Sequence, residues 1–447
     1  MYDVNVYDKR MQGYNSGVFL LVFFAHIRYD KDTMSEVFPK DFLWGAATSS
    51  HQVEGGNRND WSEWEAANAD RLAHEAEKRF GHLPSWPMIK EQATKPENYI
   101  SGSACDHYHR FREDFDIAKS LGHNAHRFSI EWSRIEPEEG KFDEKEIEHY
   151  GDVIRALRDR GMEPFVTLWH WTLPVWLRDK GGVHASRFPY YFQRYAEKVA
   201  HSFKHEIRFW ITVNEPEIYA LNAYARGVWP PQKRGMINFF RTTYALNLAH
   251  QEAYRVLKGI NADFEIGASL NMAHFESAAG LVNNILKWCA DRVWNRRFLW
   301  HIQRELDFIG LNHYFHNRIN YGFNRNENKH TSDMGWELYP EAIYHVLHDL
   351  KKYNKPIYIT ENGLADAGDK NRAWFIQETL KQVSLAMREG VEVHGYFHWS
   401  LLDNFEWDKG FWPRFGLVEI DYKNKTLERK IRPSAWEYKK IIDSSKY

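Results

Sequence analysis

The strongest constraint on the fold of this chain is a rhythm in its apolar residues. Short, near-continuous hydrophobic runs recur from one end to the other, and stretches patterned like helices separate them. The runs are FLWGAAT from Phe42, AHRFSIEW from Ala125, MEPFVTLWHW from Met162 and EIRFWITVNE from Glu206. They continue with FEIGASLNM from Phe264, LDFIGLNHY from Leu306, PIYITENG from Pro356 and VHGYFHWSLL from Val393. A run that is apolar throughout, rather than at every second residue, is the mark of a parallel strand covered on both faces.

The intervening segments have helical periodicity. In DEKEIEHYGDVIRALRDRG, Ile147, Tyr150, Ile154 and Leu157 recur every three or four residues, and Gly161 supplies a stop. YPEAIYHVLHDLKKYN repeats the pattern with Ile343, Val346 and Leu350, and RPSAWEYKKII supplies a last helix. Eight strands alternating with helices predict an α/β fold, a single-domain (β/α)8 TIM barrel with long βα loops. A doubly wound open sheet is the alternative, but neither G-x-G-x-x-G nor G-x-x-x-x-G-K occurs. The polar stretch 57–103 reads as a long loop after the first strand, with short helices such as RLAHEAEKRF inside it.

The domain is expected over residues 34–447, because Met34 precedes SEVFPKDFLWG, which reads like the start of a folded unit. Residues 1–33 are expected to be an extension. Their apolar stretch GVFLLVFFAHI is shorter than the roughly 20 residues a membrane helix needs. It resembles a secretory core with Lys9 and Arg10 ahead of it, yet no small-x-small cleavage site follows. A cytoplasmic location is therefore expected, with secretion the alternative.

The net charge is −2, with no long block of either sign, so composition offers no electrostatic case for nucleic acid or an anionic membrane. The two cysteines, Cys105 and Cys289, are too few for a disulfide framework or zinc ribbon and read as small buried hydrophobes. Aromatic residues make up 16%, with 19 Trp, and flat rings with polar edges suit sugar faces.

In a (β/α)8 barrel the chemistry gathers at the carboxyl ends of the strands. Here those ends hold Gln52 and Glu54, Arg127 and Glu131, His170 and Trp171, Asn214 and Glu215. Further along come Asn312 and Tyr314, Glu361 and Asn362, then Trp399, with Glu406 and Trp407 in the last loop. Glu215 and Glu361 each end an apolar run, where an ionised carboxylate is costly unless partnered. Structural acids held by salt bridges are one reading. The other is a facing pair across the barrel mouth, as glycoside hydrolysis requires, and the separation that decides retention or inversion is not in the sequence.

The motifs resemble glycoside hydrolase family 1, the β-glucosidase and β-galactosidase family, from about Phe38 to Tyr438. FLWGAATSSHQVEG resembles its N-terminal signature, TVNEP its acid/base motif, YITENG its nucleophile motif and LLDNFEW its sugar-binding loop. The resemblance implies a retaining β-glycosidase without cofactor or metal, acting on terminal β-glucosides and also on β-galactosides or β-fucosides. It implies Glu215 as acid/base and Glu361 as nucleophile, with Tyr314 and Arg127 flanking Glu361 and favouring its anion. By the same resemblance Asn214 binds the sugar 2-hydroxyl, and Gln52, His170, Glu406 and Trp407 bind the others. Trp399 forms a platform, Trp336 lines the aglycone side, and Trp171 and Asn312 complete the set. Glu406 implies poor activity on 6-phospho-sugars.

The sequence departs from common family usage at Thr172, His313 and His51, which bear on aglycone fit and on the sheet behind the site. A sugar-binding protein that has lost catalysis is the competing function, but both carboxylates are present. A metal hydrolase has no H-E-x-x-H to rest on, and His107 and His109 would not share a helix face. GASLN lacks the second glycine of a serine elbow. A small-molecule β-glycoside is the expected partner, with no nucleic acid and no membrane, and a homo-oligomer is left open.

Overall fold

The computed structural model describes residues 38–445. The expectation for residues 1–33 lies outside them. All eight apolar runs are strands: β1 (Leu43–Ala47), β2 (Ala125–Ser129), β3 (Glu163–Trp169), β4 (Phe209–Asn214), β5 (Glu265–Asn271), β6 (Phe308–Asn312), β7 (Ile357–Asn362) and β8 (Val393–Trp399). Each pairs in parallel with the next, and β8 closes on β1 into a barrel. Helices lie between successive strands, as right-handed parallel crossovers require.

Local chemistry explains the elements. Helix Glu144–Asp159 starts where the Asp143 carboxylate accepts the backbone N–H groups of Lys145 and Glu146. It ends at Gly161, whose φ of +65° allows Met162 N–H to donate to Leu157 O and Gly161 N–H to Arg158 O. Ile147, Tyr150, Ile154 and Leu157 are all buried, as their spacing requires. The floor of the barrel is filled by rings. Phe165 stacks on Phe209 with centroids 4.2 Å apart and lies 4.9 Å from Phe397 and 5.1 Å from Tyr358. Gly267 makes room for this layer, since a Cβ there would come within 2.4 Å of the Phe308 ring.

Two expectations need correction. The stretch 57–103 is mostly helical, with helices Asp60–His74, Ala76–Phe80 and Trp86–Ala93. RLAHEAEKRF is not one helix but the end of the first and the whole of the second. Asn59 and Ser62 form a reciprocal capping box that starts this region, a short polar signal that reads equally well as loop. Cys105 is buried, but Cys289 is exposed, because its turn of helix Leu281–Asp291 faces solvent.

Candidate active site

Both acid-bearing strands bulge just before their acid. Along β4 and β5, Ile211 pairs with Gly267 but Asn214 pairs with Ser269, so β4 carries one residue extra. Along β6 and β7, Leu311 pairs with Ile359 but Asn312 pairs with Glu361, so β7 carries one extra. Such bulges twist a strand and re-aim the side chains beyond them. The β4 bulge is followed by Glu215 in the left-handed region (φ 43°, ψ 58°), and helix Pro216–Tyr219 starts at once. A non-glycine residue held there is strained, and such strain is a common companion of function.

The register then lines up polar side chains on neighbouring strands. Asn271 of β5 pairs with Asn312 of β6, and Asn312 with Glu361 of β7. Glu215 Oε1 accepts from Asn271 Nδ2 at 3.0 Å and from Asn312 Nδ2 at 2.9 Å. Glu361 instead meets a cation: Arg127 Nη1 donates to Oε1 at 2.5 Å, and the Tyr314 hydroxyl donates to Oε2 at 2.8 Å. Arg127 is itself buried and braced, donating from Nε to Thr167 Oγ1 and from Nη2 to Asn214 Oδ1.

The two carboxyls therefore differ in kind. Burial, and next the charge of Glu361, push Glu215 up to about 8, while its neutral amide donors pull the other way. Burial also raises Glu361, and Arg127 and Tyr314 oppose it. These partners favour the anion as expected, but burial outweighs them in the net direction. Only Glu361 has a cation in contact, so a proton shared by the pair belongs on Glu215.

The remaining predicted residues fall into two groups. Around the cup, Gln52 Nε2 donates to Phe405 O at 2.8 Å and to Glu406 Oε2 at 3.4 Å, and burial raises Glu406 to about 7. The His170 ring lies nearly parallel to the rings of Trp399 (6.0 Å, 24°) and Trp407 (6.1 Å, 16°). Burial, with Arg127 nearby, holds His170 neutral. Arg127 fixes the Asn214 oxygen, so the Asn214 amide faces His170 Nε2 at 3.1 Å. The His170 proton is then on Nδ1, a buried atom with no hydrogen-bond partner among the described residues. Trp336 packs 5.8 Å from Tyr314.

Other residues brace the site rather than line it. The Trp171 indole N–H donates to Asn214 O, and all the polar atoms of the Asn312 side chain are taken by Asn214, Glu215 and Thr360. Glu54, at the end of helix Ser50–Val53, and Glu131, just past β2, are held by groups other than those around Glu215 and Glu361. Glu54 pairs with Arg134 and Tyr150, and Glu131 accepts from Ser50, Ser133 and Thr172. The departures have local partners as well: His313 contacts Met272 O, and His51 pairs with Glu65 and stacks on Trp407. Thr172 and His51 thus belong to the polar networks of Glu131 and Glu65, and neither contacts Glu215 or Glu361. His107 is buried against Asp114 while His109 is exposed, so the two do not converge. Among the described residues no group of His, Cys, Asp and Glu is placed to hold a metal.

Asn271 was not among the predicted residues, although it holds the Glu215 carboxyl directly. Its only signal is an Asn at the end of the β5 run, the same position Asn312 occupies on β6.

The sequence profile described as Glycosyl hydrolase family 1 matches residues 34–303 and 295–447. "Beta-glucosidase A" of Acetivibrio thermocellus is 33% identical, over 92% of this chain and 100% of that protein. "Beta-glucosidase 42" of Arabidopsis thaliana is 31% identical, over 91% of this chain and 94% of its own. Among solved structures, a beta-glycosidase from Pyrococcus horikoshii superposes with a TM-score of 0.80 at 36% identity, covering 91% of this chain and 95% of that one. A beta-glucosidase from Thermotoga maritima in complex with glucoimidazole gives 0.80 at 31% identity, covering 91% and 99%.

Proposed function

Since this chain belongs to glycosyl hydrolase family 1 and is an O-glycoside hydrolase of the β-glycosidase kind, we propose that it is a retaining enzyme acting on terminal β-D-glucosides, with β-galactosides and β-fucosides as further substrates. The observation that carries the reading is the asymmetry of the two buried acids. Glu215 is held by neutral amides and Glu361 by a guanidinium.

In the first step Glu361 attacks the anomeric carbon, and Glu215 gives its proton to the leaving oxygen. A covalent glycosyl-enzyme forms and the alcohol departs. Esterification removes the charge on Glu361, which lowers the Glu215 pKa and fits Glu215 to act as base toward water in the second step. Asn214 is placed by Arg127 and Asn312 and meets the sugar 2-hydroxyl, where hydrogen bonds strengthen in the transition state. Gln52, His170 and Glu406 accept and donate to the other hydroxyls above the Trp399 platform, and Trp336 lies toward the aglycone.

A panel of aryl β-glycosides, run on wild type, Glu215→Ala and Glu361→Ala, tests this. The expected result is loss of at least about a thousandfold in kcat for Glu361→Ala. Full activity in that variant would sink the mechanism, and the same panel ranks the sugars.

A further inference from the structure

Three βα loops, all leaving the Glu215 end of the barrel, expose apolar side chains. Helix Met236–Ile260, after β4, begins with Met236 and Ile237 in solvent; Ile237 is 85% exposed, and Tyr244 follows two turns on. Helix Leu281–Asp291, after β5, turns Leu281 (75% exposed), Val282, Ile285 and Trp288 (64%) outward. Their spacing makes one stripe along the helix. After β6, Tyr321 is 75% exposed and Phe323 lies close by in sequence.

Contacts join the three loops. The Arg297 guanidinium lies 4.7 Å from the Phe240 ring and donates to Thr243 Oγ1 at 2.6 Å. Tyr321 N–H donates to Asn283 Oδ1 at 2.8 Å. These contacts bring exposed apolar side chains onto adjoining segments, whereas apolar residues on an ordinary protein surface are scattered singly.

Its charge is also one-sided. Residues 226–244 contain Arg226, Lys233, Arg234 and Arg241 with no Asp or Glu. Residues 281–297 set Lys287, Arg292, Arg296 and Arg297 against Asp291 alone. Residues 318–329 set Arg318, Arg325 and Lys329 against Glu327, and Arg318 also pairs with Glu276 of the loop after β5. A chain of net charge −2 thus gathers cations around its most exposed apolar face.

We propose that this face docks on an anionic lipid surface. Leu281, Ile285, Trp288 and Ile237 enter the boundary between headgroups and acyl chains, and the neighbouring Arg and Lys face the lipid phosphates. Trp and Tyr side chains favour that boundary. A second copy of the chain fits less well, because a twofold contact through this face would bring its cations against themselves. No helix among the described residues is long and apolar enough to cross a membrane, so the association is peripheral.

The test is co-sedimentation of the full chain with phosphatidylcholine vesicles, with and without phosphatidylglycerol. Two double variants accompany it, Ile285→Ser with Trp288→Ser and Arg234→Glu with Arg292→Glu. Residues 17–27 are unchanged in all proteins, so differences between them report this face. Wild type is expected to bind the anionic vesicles, less so at high salt. Each double variant is expected to bind at least about tenfold more weakly, with unchanged Tm and unchanged hydrolysis of a soluble aryl glycoside. Absence of wild-type binding, or variants that bind like wild type, would overturn the proposal. So would sedimentation velocity in which Ile285→Ser with Trp288→Ser turns a dimer into a monomer while vesicle binding persists.

Discussion

Arg127 lies 2.5 Å from Glu361 and, through its other terminal nitrogen, 2.7 Å from Asn214, so one buried guanidinium holds both a carboxylate and the side-chain oxygen of an amide. Replacing it by Gln leaves Glu361 buried without its cation. Breaking a buried pair in this way costs about 3–5 kcal/mol, read as a fall in Tm or in the denaturant midpoint. The acidic limb of the kcat/KM profile is expected to move to higher pH, because Glu361 then ionises less readily. A variant with wild-type stability and an unmoved acidic limb would contradict the role given to this pair.

In the proposed mechanism Glu215 sets the basic limb. That mechanism needs its proton, so kcat/KM is expected to fall as pH rises through about 8. Asn271 and Asn312 donate to its carboxyl and lower its pKa, so Asn271→Ala is expected to shift the limb further alkaline. A shift toward acid, or no shift, would count against Asn271 as a positioning residue.

The same group links stability to pH. Its folded pKa of about 8 stands above the ordinary 4.5, so the folded state binds this proton more tightly than the unfolded chain does. Its contribution is complete below about 4.5 and is lost as pH rises through about 8. Denaturant midpoints of wild type and Glu215→Gln, compared from pH 4 to pH 9 (a span of about five units chosen to bracket both values), are expected to differ in slope, with Glu215→Gln the flatter. Parallel curves would refute the assignment.

The stereochemical outcome can be read directly. Proton NMR of the first sugar released from an aryl β-glucoside is expected to show the β-anomer, with the α-anomer appearing only by mutarotation. An α-anomer formed first would mean inversion.

The proposed sugar-binding role of Glu406 bears on substrate charge. A 6-phospho-glycoside would set a phosphate dianion beside this buried carboxyl, so its kcat/KM is expected to lie at least about tenfold below that of the neutral parent. Phosphorylated substrate turned over faster than its parent would overturn that expectation.

The barrel floor carries stability apart from chemistry. Phe165 touches the rings of Phe209, Tyr358 and Phe397, and Phe165→Ala is expected to cost about 3–5 kcal/mol by thermal or urea unfolding.

The barrel was legible because a covered parallel strand must be apolar on both faces and short, and eight such runs leave few alternatives. Glu215 and Glu361 were legible for a related reason: an acid ending such a run needs a special environment. Glu131 closes the run of β2 too, and only the fold hands it to the hydroxyls of Ser50 and Thr172. Nothing local to the sequence separates that acid from the central pair.

What the amino-acid sequence determined by itself, then, is the set of strands and the acids at their ends, because burial acts on each residue through its immediate neighbours. Tertiary structure alone decided the rest. The bulges on β4 and β7 and the register that places Asn271 beside Asn312 depend on pairing between strands far apart in the chain. So do the contacts that join the loops after β4, β5 and β6, such as Arg297 with Phe240 and Tyr321 with Asn283. Electrostatic energy depends on distance in space, and only the closed barrel makes those distances short.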